Sequence, residues 1–274
     1  MDTKGFLIGE NMNDQYLAFA KELAYDAGDI MLKYFTTKMD NELKADDTIV
    51  TIADKEINSL VIDRIKATYS DHAVIGEEES HAKDSKHAWV CDPIDGTNPF
   101  AMSLAVSVFS LAYVYDGEPL VGVIYDPFVK RLFWASKGKG AFVNDEPLAV
   151  STDTFGPGKR MNFDWWATAE FDILPKIRQL SLDTGTYMLS PGSTTHMAAL
   201  VAQGDFLASV FCGTKDKCMD IAAAKVIVEE AGGKVTDMFG NEQRYDGDLN
   251  GAIVSNGVVH EQLVNLMKET EHEV

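Results

Sequence analysis

Two aspartates three residues apart carry the clearest chemical signal in this sequence. The segment 89–100 reads WVCDPIDGTNPF, in which an apolar run leads into Asp92 and Asp95. Pro93 stiffens the turn between the two acids, and Gly96 allows the backbone to approach a ligand closely. Because the segment contains no basic residue, the two carboxylates would repel each other unless a cation lies between them. Hard oxygen ligands of this kind suit Mg²⁺ or Mn²⁺.

On the residues alone, these and other polar residues have more than one interpretation. A bare pair of acids at this spacing is usually a polar turn with solvated side chains. Asp220 stands where a helix could begin, so an N-cap explains it as well as a metal ligand does. Glu77 and Glu78 belong to an acidic run of the kind that usually lies in solvent. Gly96 and Thr97 could bind a phosphate through their backbone N–H groups if a helix begins there.

The whole string DPIDGT is more specific than its two acids, and it resembles the signature of the inositol monophosphatase family of Mg²⁺-dependent phosphatases. Six other elements stand in that family's order across residues 50–233. They are VTIAD at 50–54, IGEE at 75–78, GKGAF at 138–142, SPGS at 190–193, KCMDIAA at 217–223 and EAGG at 230–233. The resemblance implies an α/β architecture, the five-layer αβαβα sandwich of the sugar-phosphatase fold.

The same resemblance implies a metal centre. Glu77, Asp92 and the Ile94 carbonyl would hold one Mg²⁺, and Asp92, Asp95 and Asp220 would hold a second. Glu77 would also help to hold a third, weaker ion. Two ions about 4 Å apart can bracket a phosphoryl group, because one activates the attacking water while the other stabilises the leaving oxygen.

The catalytic residues implied by the resemblance are Glu77, Thr97 and Asp54, of which Thr97 and Asp54 would orient the attacking water. Without the resemblance, a helix N-cap and a solvated surface acid would explain the last two. The glycines of GKGAF suggest a phosphate cradle, but a hairpin turn explains them better. The substrate-binding residues would be Gly96, Thr97, Asp95, Gly192, Ser193, Thr194 and Lys44.

Several positions depart from the family's pattern. Asn98-Pro99-Phe100 follows DPIDGT, where x-N-F is usual, and Met219 replaces the common Trp before the helix aspartate. Lys44 lies one residue closer to Asp54 than the family's phosphate lysine does. Ser209 falls near the position where inositol-selective members carry a glutamate. The metal elements therefore match the family, whereas the side that would bind the alcohol is not tuned to inositol.

Charge and length limit the classes of partner. The net charge is −19 and the pI is near 4.6, which argues against nucleic acid or an anionic membrane as a partner. An acidic chain can bind a phosphorylated metabolite only if metal ions reverse the local charge. The chain has 274 residues, enough for one large or two modest domains, and a Thr-, Gly- and Pro-rich stretch favours a division into 1–152 and 153–274.

Three cysteines without zinc-type spacing favour reduced thiols and a cytoplasmic location. The polar N-terminus shows no signal-like apolar core. The longest largely apolar run, residues 104–115, is too short to span a bilayer and predicts a buried strand. Assembly as a homodimer is implied by the resemblance alone.

Hydrophobic periodicity predicts the elements that must position these residues. The predicted helices cover 14–35, 54–69, 170–182, 193–203, 219–231 and 258–269. The predicted strands cover 88–91, 104–115, 120–126, 131–136, 141–143, 148–151, 186–190, 206–211 and 251–255. Residues 36–47 are predicted to form a loop or short hairpin. The first half should therefore contain a mainly antiparallel sheet, and the second half should alternate strands with helices.

These observations together predict a Mg²⁺-dependent phosphomonoesterase for a small sugar- or polyol-phosphate. Two alternatives stay open at this point. A 3'(2'),5'-bisphosphate nucleotidase of the same superfamily is the nearest enzyme, although Asn98 stands where those enzymes tend to carry lysine. A metal-binding regulatory protein that has lost turnover is the alternative from another class.

Overall fold

The computed structural model describes residues 3–35, 42–43, 49–81, 84–166, 169, 171–212, 218–249 and 251–268. Within them the chain forms two main β-sheets and three layers of helices. The helices are α1 (Thr3–Phe35), α2 (Ile52–Thr68), α3 (Thr97–Ala101), α4 (Leu174–Thr184), α5 (Thr194–Ala202), α6 (Met219–Glu230) and α7 (His260–Lys268). No helix in the described ranges is long and apolar enough to cross a bilayer.

The first sheet has seven strands that neighbour one another in chain order. They are β3 (Ala73–Gly76), β4 (His87–Asp95), β5 (Val108–Tyr115), β6 (Glu118–Asp126), β7 (Arg131–Ser136), β8 (Ala141–Val143) and β9 (Glu146–Pro147). Only β3 and β4 pair in parallel, so the predicted antiparallel character is confirmed. Asp116 and Gly117 join β5 to β6 with φ values of 51° and 85°, as a two-residue hairpin turn requires.

The second sheet has five strands in the order β11-β10-β12-β14-β13. They are β10 (Arg160–Asp164), β11 (Tyr187–Leu189), β12 (Ala208–Phe211), β13 (Lys234–Thr236) and β14 (Ala252–Ser255). The three strands β11, β10 and β12 are parallel, and β14 is antiparallel to both of its neighbours. Two further short strands, β1 (Glu42–Leu43) and β2 (Ile49–Val50), pair only with each other.

The first sheet has a hydrophobic core on each face. Trp89 and Val90 are consecutive residues of β4, so their side chains point to opposite faces. Trp89 packs with α1 and α2 on the outer face, and Val90 packs with α5 and α6 on the inner face. A Cβ atom on Gly122 of β6 would lie 2.6 Å from the carbonyl oxygen of Ala223, so this glycine allows α6 to approach the sheet closely.

The second sheet shares the inner core and adds an outer one. Phe211 and Val254 pack into the inner core, whereas Val210 and Ile253 pack with α4 and α7 on the far face. The layers are therefore α1 and α2, the first sheet, α5 and α6, the second sheet, and α4 and α7. This five-layer arrangement confirms the predicted α/β fold class. The division at residue 152 stays a prediction, and the inner core contains residues from both sides of it.

Some element boundaries differ from the prediction for identifiable reasons. The strand predicted over 104–115 begins only at Val108, because the chain after α3 must turn back toward the sheet and Leu104 is half exposed. The strand predicted over 148–151 is wrong. There the chain leaves the sheet, and the backbone N–H of Val150 donates to the Ala231 carbonyl at the end of α6. Helix α1 begins at Thr3 rather than at residue 14, and α4 begins at Leu174 rather than at residue 170.

Hydrophobic periodicity does not reveal several short elements, namely α3, β3, β10 and β13. Each is only 3 to 5 residues long. So few residues provide too few repeats to define a period. In the predicted loop over 36–47, residues 42–43 form β1, and the remainder lies outside the described residues.

Candidate metal and phosphate site

A β-bulge brings Asp92 and Asp95 to the same face of the first sheet. In β4 these residues are three apart, but they pair with Ser110 and Val108 of β5, which are two apart, so β4 contains one extra residue between them. Without this bulge, two residues three apart would point to opposite faces. Both acids therefore face the inner layer, and both are at least 95% buried. The Asp92 Oδ1 atom accepts a 3.0 Å bond from the Ile94 N–H.

Asp54 lies in the first turn of α2, where it forms a capping box with Thr51. Its Oδ2 atom accepts bonds from the Thr51 N–H at 2.8 Å and from the Thr51 Oγ1 at 2.5 Å. Burial raises the pKa of the Asp54 carboxyl to about 7, although the Thr51 bonds oppose the shift and the charges of Glu78 and Glu77 add to it. Asp54 is fully buried, so its interpretation as a solvated surface acid is wrong.

Thr97 links Asp54 to the segment from Asp92 to Thr97, which we call the aspartate loop. Its hydroxyl lies 3.3 Å from the Asp54 Oδ1 atom and 3.1 Å from the Ile94 carbonyl oxygen, so one proton serves two acceptors. Thr97 is the first residue of α3, and Gly96 is its N-cap, so the N-cap interpretation of Thr97 is also wrong. The structure thus brings together the two residues that the sequence predicted to orient water.

The start of α5 holds Asp95. The Asp95 Oδ2 atom accepts a short bond from the Ser193 hydroxyl and backbone bonds from Thr195 at 3.0 Å and His196 at 3.3 Å. Burial and the nearby charge of Asp220 raise the pKa of the Asp95 carboxyl. Sequence reasoning placed Ser193 only on the substrate side. The run Ser-Thr-Thr at a helix start was the available signal, because such N–H groups bind anions.

Asp220 belongs to a different helix, α6. It is the second residue of that helix and is 93% buried, and the helix N-cap is Cys218 without a side-chain cap bond. The N-cap interpretation of Asp220 is therefore wrong. The Thr195 hydroxyl donates to the Asp220 carbonyl at 2.7 Å, so α5 contacts both acids.

Glu77 directly follows β3 and is hydrogen-bonded to β4. Its backbone N–H donates to the Cys91 carbonyl at 3.3 Å, one residue before Asp92. Burial raises the pKa of the Cys91 thiol, and the charges of Asp92 and Glu77 add to the shift. Glu77 and Glu78 are half-buried rather than fully solvated.

Two glycines allow the aspartate loop to meet the start of α5. Gly96 has a φ of 85°, and a Cβ atom there would lie 2.9 Å from the Gly192 carbonyl oxygen. Gly192 itself has a φ of 86°. Thr194, the next substrate candidate, donates from its hydroxyl to Asp164 at 3.0 Å, a partner that the sequence did not suggest. Lys44 lies outside the described residues.

The GKGAF turn binds a carboxylate of the protein itself. The N–H groups of Gly138 and Gly140 each donate a 2.7 Å bond to Glu230, the glutamate of EAGG. The turn lies in the hairpin between β7 and β8, which confirms the hairpin interpretation. Two of the six sequence elements therefore contact each other away from the aspartates.

The donor set fits a hard divalent cation. Asp54 and Asp95 are buried, and within the described ranges neither forms an ion pair with a lysine, arginine or histidine. Carboxylate and carbonyl oxygens are the ligands that Mg²⁺ prefers. No group of three acid, histidine or cysteine side chains in the described part of the chain is already arranged around one point. Uncompensated carboxylates repel, so a bound cation would have to draw them together.

The chain is similar to known proteins over most of its length. The sequence model of the inositol monophosphatase family matches residues 12–272. A fructose-1,6-bisphosphatase/inositol-1-monophosphatase of Thermotoga maritima is 33% identical, covering 82% of this chain and 85% of that protein. A histidinol-phosphatase of Chlorobaculum parvum is 33% identical, covering 90% of this chain and 95% of that protein. The Nus factor SuhB of Pasteurella multocida is 33% identical, covering 82% of this chain and 85% of that protein.

The fold is similar to that of solved structures. An IMPase structure from Thermotoga maritima aligns with a TM-score of 0.84 at 30% identity, covering 94% of this chain and 99% of that one. The similarity therefore extends over nearly the whole of both chains.

Proposed function

Because this chain belongs to the inositol monophosphatase family, whose members are phosphatases, we propose that it is a Mg²⁺-dependent phosphomonoesterase for small sugar- or polyol-phosphates. The observation that carries the proposal is the link from Asp54 through the Thr97 hydroxyl to the Ile94 carbonyl. Ile94 lies between Asp92 and Asp95 in the chain, and this link therefore supports a proton-accepting role for Thr97 and Asp54 next to the proposed metal ligands.

Metal binding is the task of one group of residues in the proposed reaction. Glu77, Asp92, the Ile94 carbonyl, Asp95 and Asp220 would hold two or three Mg²⁺ ions. Bound Mg²⁺ neutralises phosphoryl charge and lowers the pKa of a coordinated water.

Thr97 and its neighbours would orient the water and bind the phosphate, together with Asp54 of α2. The Thr97 Oγ1 atom would accept a hydrogen bond from the attacking water while it donates to the Asp54 Oδ1 atom. The N–H groups of Gly96 and Thr97 would bind the phosphoryl oxygens. On the substrate side, Gly192, Ser193 and Thr194 border the site, and Lys44 is a predicted phosphate contact.

The alcohol side supports a preference other than inositol. The Ser209 Oγ atom is buried and accepts a 2.9 Å bond from the Asn162 amide, so it already has a protein partner. A site selects a hydroxyl strongly only when it holds a partner for that hydroxyl. We therefore propose that inositol 1-phosphate is not strongly preferred.

A phosphate-release assay on the purified protein tests this function. We expect Mg²⁺-dependent turnover of one or more of inositol 1-phosphate, fructose 1,6-bisphosphate, NADP, histidinol phosphate and an adenosine bisphosphate. Thr97→Ala should lose turnover and Thr97→Ser should retain part of it, whereas Thr68→Ala, an exposed change at the end of α2, should have no effect. Turnover that persists in EDTA, or in Thr97→Ala, would contradict the proposed mechanism.

A regulatory role is the second candidate, because one relative at 33% identity is a Nus factor. In that case Mg²⁺ would still raise the melting temperature, but no phosphate ester would be hydrolysed. The bisphosphate nucleotidase alternative predicts instead that the adenosine bisphosphate is the preferred substrate. A homodimer is proposed from the family alone, and light scattering of the purified protein checks it. The cytoplasmic location stays a prediction.

A further inference from the structure

Asp164 lies where the second sheet opens a crevice. It is the last residue of β10, and it pairs with Phe211, the last residue of β12. The chain leaves β10 through α4 toward β11, and it leaves β12 through α6 toward β13 at the other end of the sheet. Ligands of α/β sheets bind at the carboxyl ends of two such strands, where the connections diverge.

Hydrogen bonds connect Asp164 to the proposed metal ligand Asp95. The Asp164 Oδ2 atom accepts a 3.0 Å bond from the Thr194 hydroxyl, and the preceding residue, Ser193, donates to Asp95. Because two consecutive residues donate to the two carboxylates, Asp164 and Asp95 belong to one hydrogen-bonded cluster, and the charge of Asp164 contributes to the raised pKa of Asp95. Both are 5% exposed, so Asp164 is as accessible as the residue proposed to bind metal.

The surroundings of Asp164 supply neutral donors but no positive charge. Its Oδ2 atom accepts a second bond, at 2.8 Å, from the Asn162 amide, and within the described residues Oδ1 accepts none. The Oδ1 atom of Asn162 is buried and likewise has no hydrogen-bond partner there. No lysine, arginine or histidine of the described ranges forms an ion pair with Asp164. Within the part of the chain that the structure describes, two neighbouring acceptors therefore have no donor and one carboxylate has no compensating charge.

We propose that Asp164 binds a protonated amino group of the substrate's alcohol, so that the enzyme prefers phosphate monoesters of amino alcohols to those of neutral polyols. The proposal rests on the phosphatase function proposed above. An ammonium group has three donors and no acceptor, which complements a carboxylate beside a second bare acceptor. The metal ions would compensate Asp95 and Asp220, whereas Asp164, which accepts the Thr194 hydroxyl, is not among the proposed metal ligands.

Matched pairs of substrates test this preference. Glucosamine 6-phosphate and glucose 6-phosphate differ by an amino group in place of a hydroxyl, and so do 2-aminoethyl phosphate and 2-hydroxyethyl phosphate. We expect kcat/KM to favour the amino member of at least one pair by about tenfold or more, the contribution typical of a hydrogen bond to a charged group. The assay uses the full chain with Mg²⁺.

Asp164→Asn isolates the charge. An asparagine Oδ1 atom can accept both bonds that now end on Oδ2, so the start of α5 should be unaffected. The preference should fall to within about threefold, while kcat/KM for the neutral member changes little. Asp205→Asn, an exposed aspartate before β12, should retain the full preference.

Two results would overturn the proposal: no preference for the amino member in either pair of the unmodified enzyme, or a preference that survives Asp164→Asn. If Asp164→Asn does not fold, product inhibition of the unmodified enzyme decides, because glucosamine should then inhibit at about tenfold lower concentration than glucose, and equal inhibition would refute it. Absence of turnover of every ester would instead contradict the phosphatase function.

Discussion

Replacing Asp54 by asparagine should make the metal-free protein more stable and the enzyme less active. The side chain is fully buried, and its Oδ2 atom accepts the two Thr51 bonds of the capping box. An asparagine Oδ1 atom can accept both bonds, so the cap of α2 survives. The amide Nδ2 atom would then face the Thr97 hydroxyl, where it can only donate a hydrogen bond.

The pKa of Asp54 sets the size of the stability change. Burial raises this pKa from the ordinary 3.8 to about 7. Between these two values the folded protein holds a proton that the unfolded chain has released, so the free energy of unfolding falls as pH rises, by about 1.4 kcal/mol per pH unit. The deficit reaches about 4 kcal/mol above the folded pKa and is absent below the unfolded one. Asparagine does not titrate, so it avoids this loss.

Urea unfolding in EDTA at several values between pH 4 and pH 8 measures the effect. The stability advantage of Asp54→Asn should grow with pH and should narrow in Mg²⁺, because a nearby cation favours the ionised carboxylate. Asp63→Asn, an exposed change on the same helix, should show no such trend. Turnover should fall by about a hundredfold or more, as expected for loss of a proton acceptor. An advantage that is absent at pH 8, or unchanged turnover, would refute this reasoning.

Three other outcomes follow from the structure. Asp95→Asn should abolish the rise in melting temperature that Mg²⁺ causes, as scanning fluorimetry can show; an unchanged rise would exclude Asp95 as a ligand. Burial lowers the pKa of His260 from 6.5 to about 4, so the free energy of unfolding should decrease by roughly 3 kcal/mol as pH falls through that window, and a flat profile would contradict it. Glu230→Gln leaves the N–H of Gly138 or Gly140 facing an amide NH2 group instead of an acceptor, and it should cost about 1 kcal/mol in urea unfolding without loss of turnover.

The local part of the site could be predicted from the sequence because its residues are close together in the chain. The string DPIDGT contains the acids, the glycine and the threonine of one loop. What it does not contain is the bulge between Asp92 and Asp95, which is visible only in the pairing with β5. Since the bulge decides which face each acid occupies, residue types alone indicate a metal site but not its orientation.

Partners from distant parts of the chain were harder to predict. Ser193 and Asp95 are 98 residues apart, and Asp164 and Thr194 are 30 apart. No periodicity relates such residues, because only the stacking of α5 between the sheets brings them together. The resemblance to a family identified the individual elements, but the contact between the GKGAF turn and Glu230 emerges only from the fold.

Asp95 shows how the fold reduces the cost of gathering acids. Its Oδ2 atom is fully occupied by the Ser193 hydroxyl and two N–H groups at the start of α5, whose partial positive charge stabilises an anion. This arrangement fixes the carboxyl plane before any cation arrives. The repulsion from Asp220 and, to a smaller extent, from Asp164 remains, and a divalent ion held between Asp95 and Asp220 would compensate the larger part of it. The strand, the bulge and α5 therefore act together to hold the Asp95 carboxylate in position for a cation.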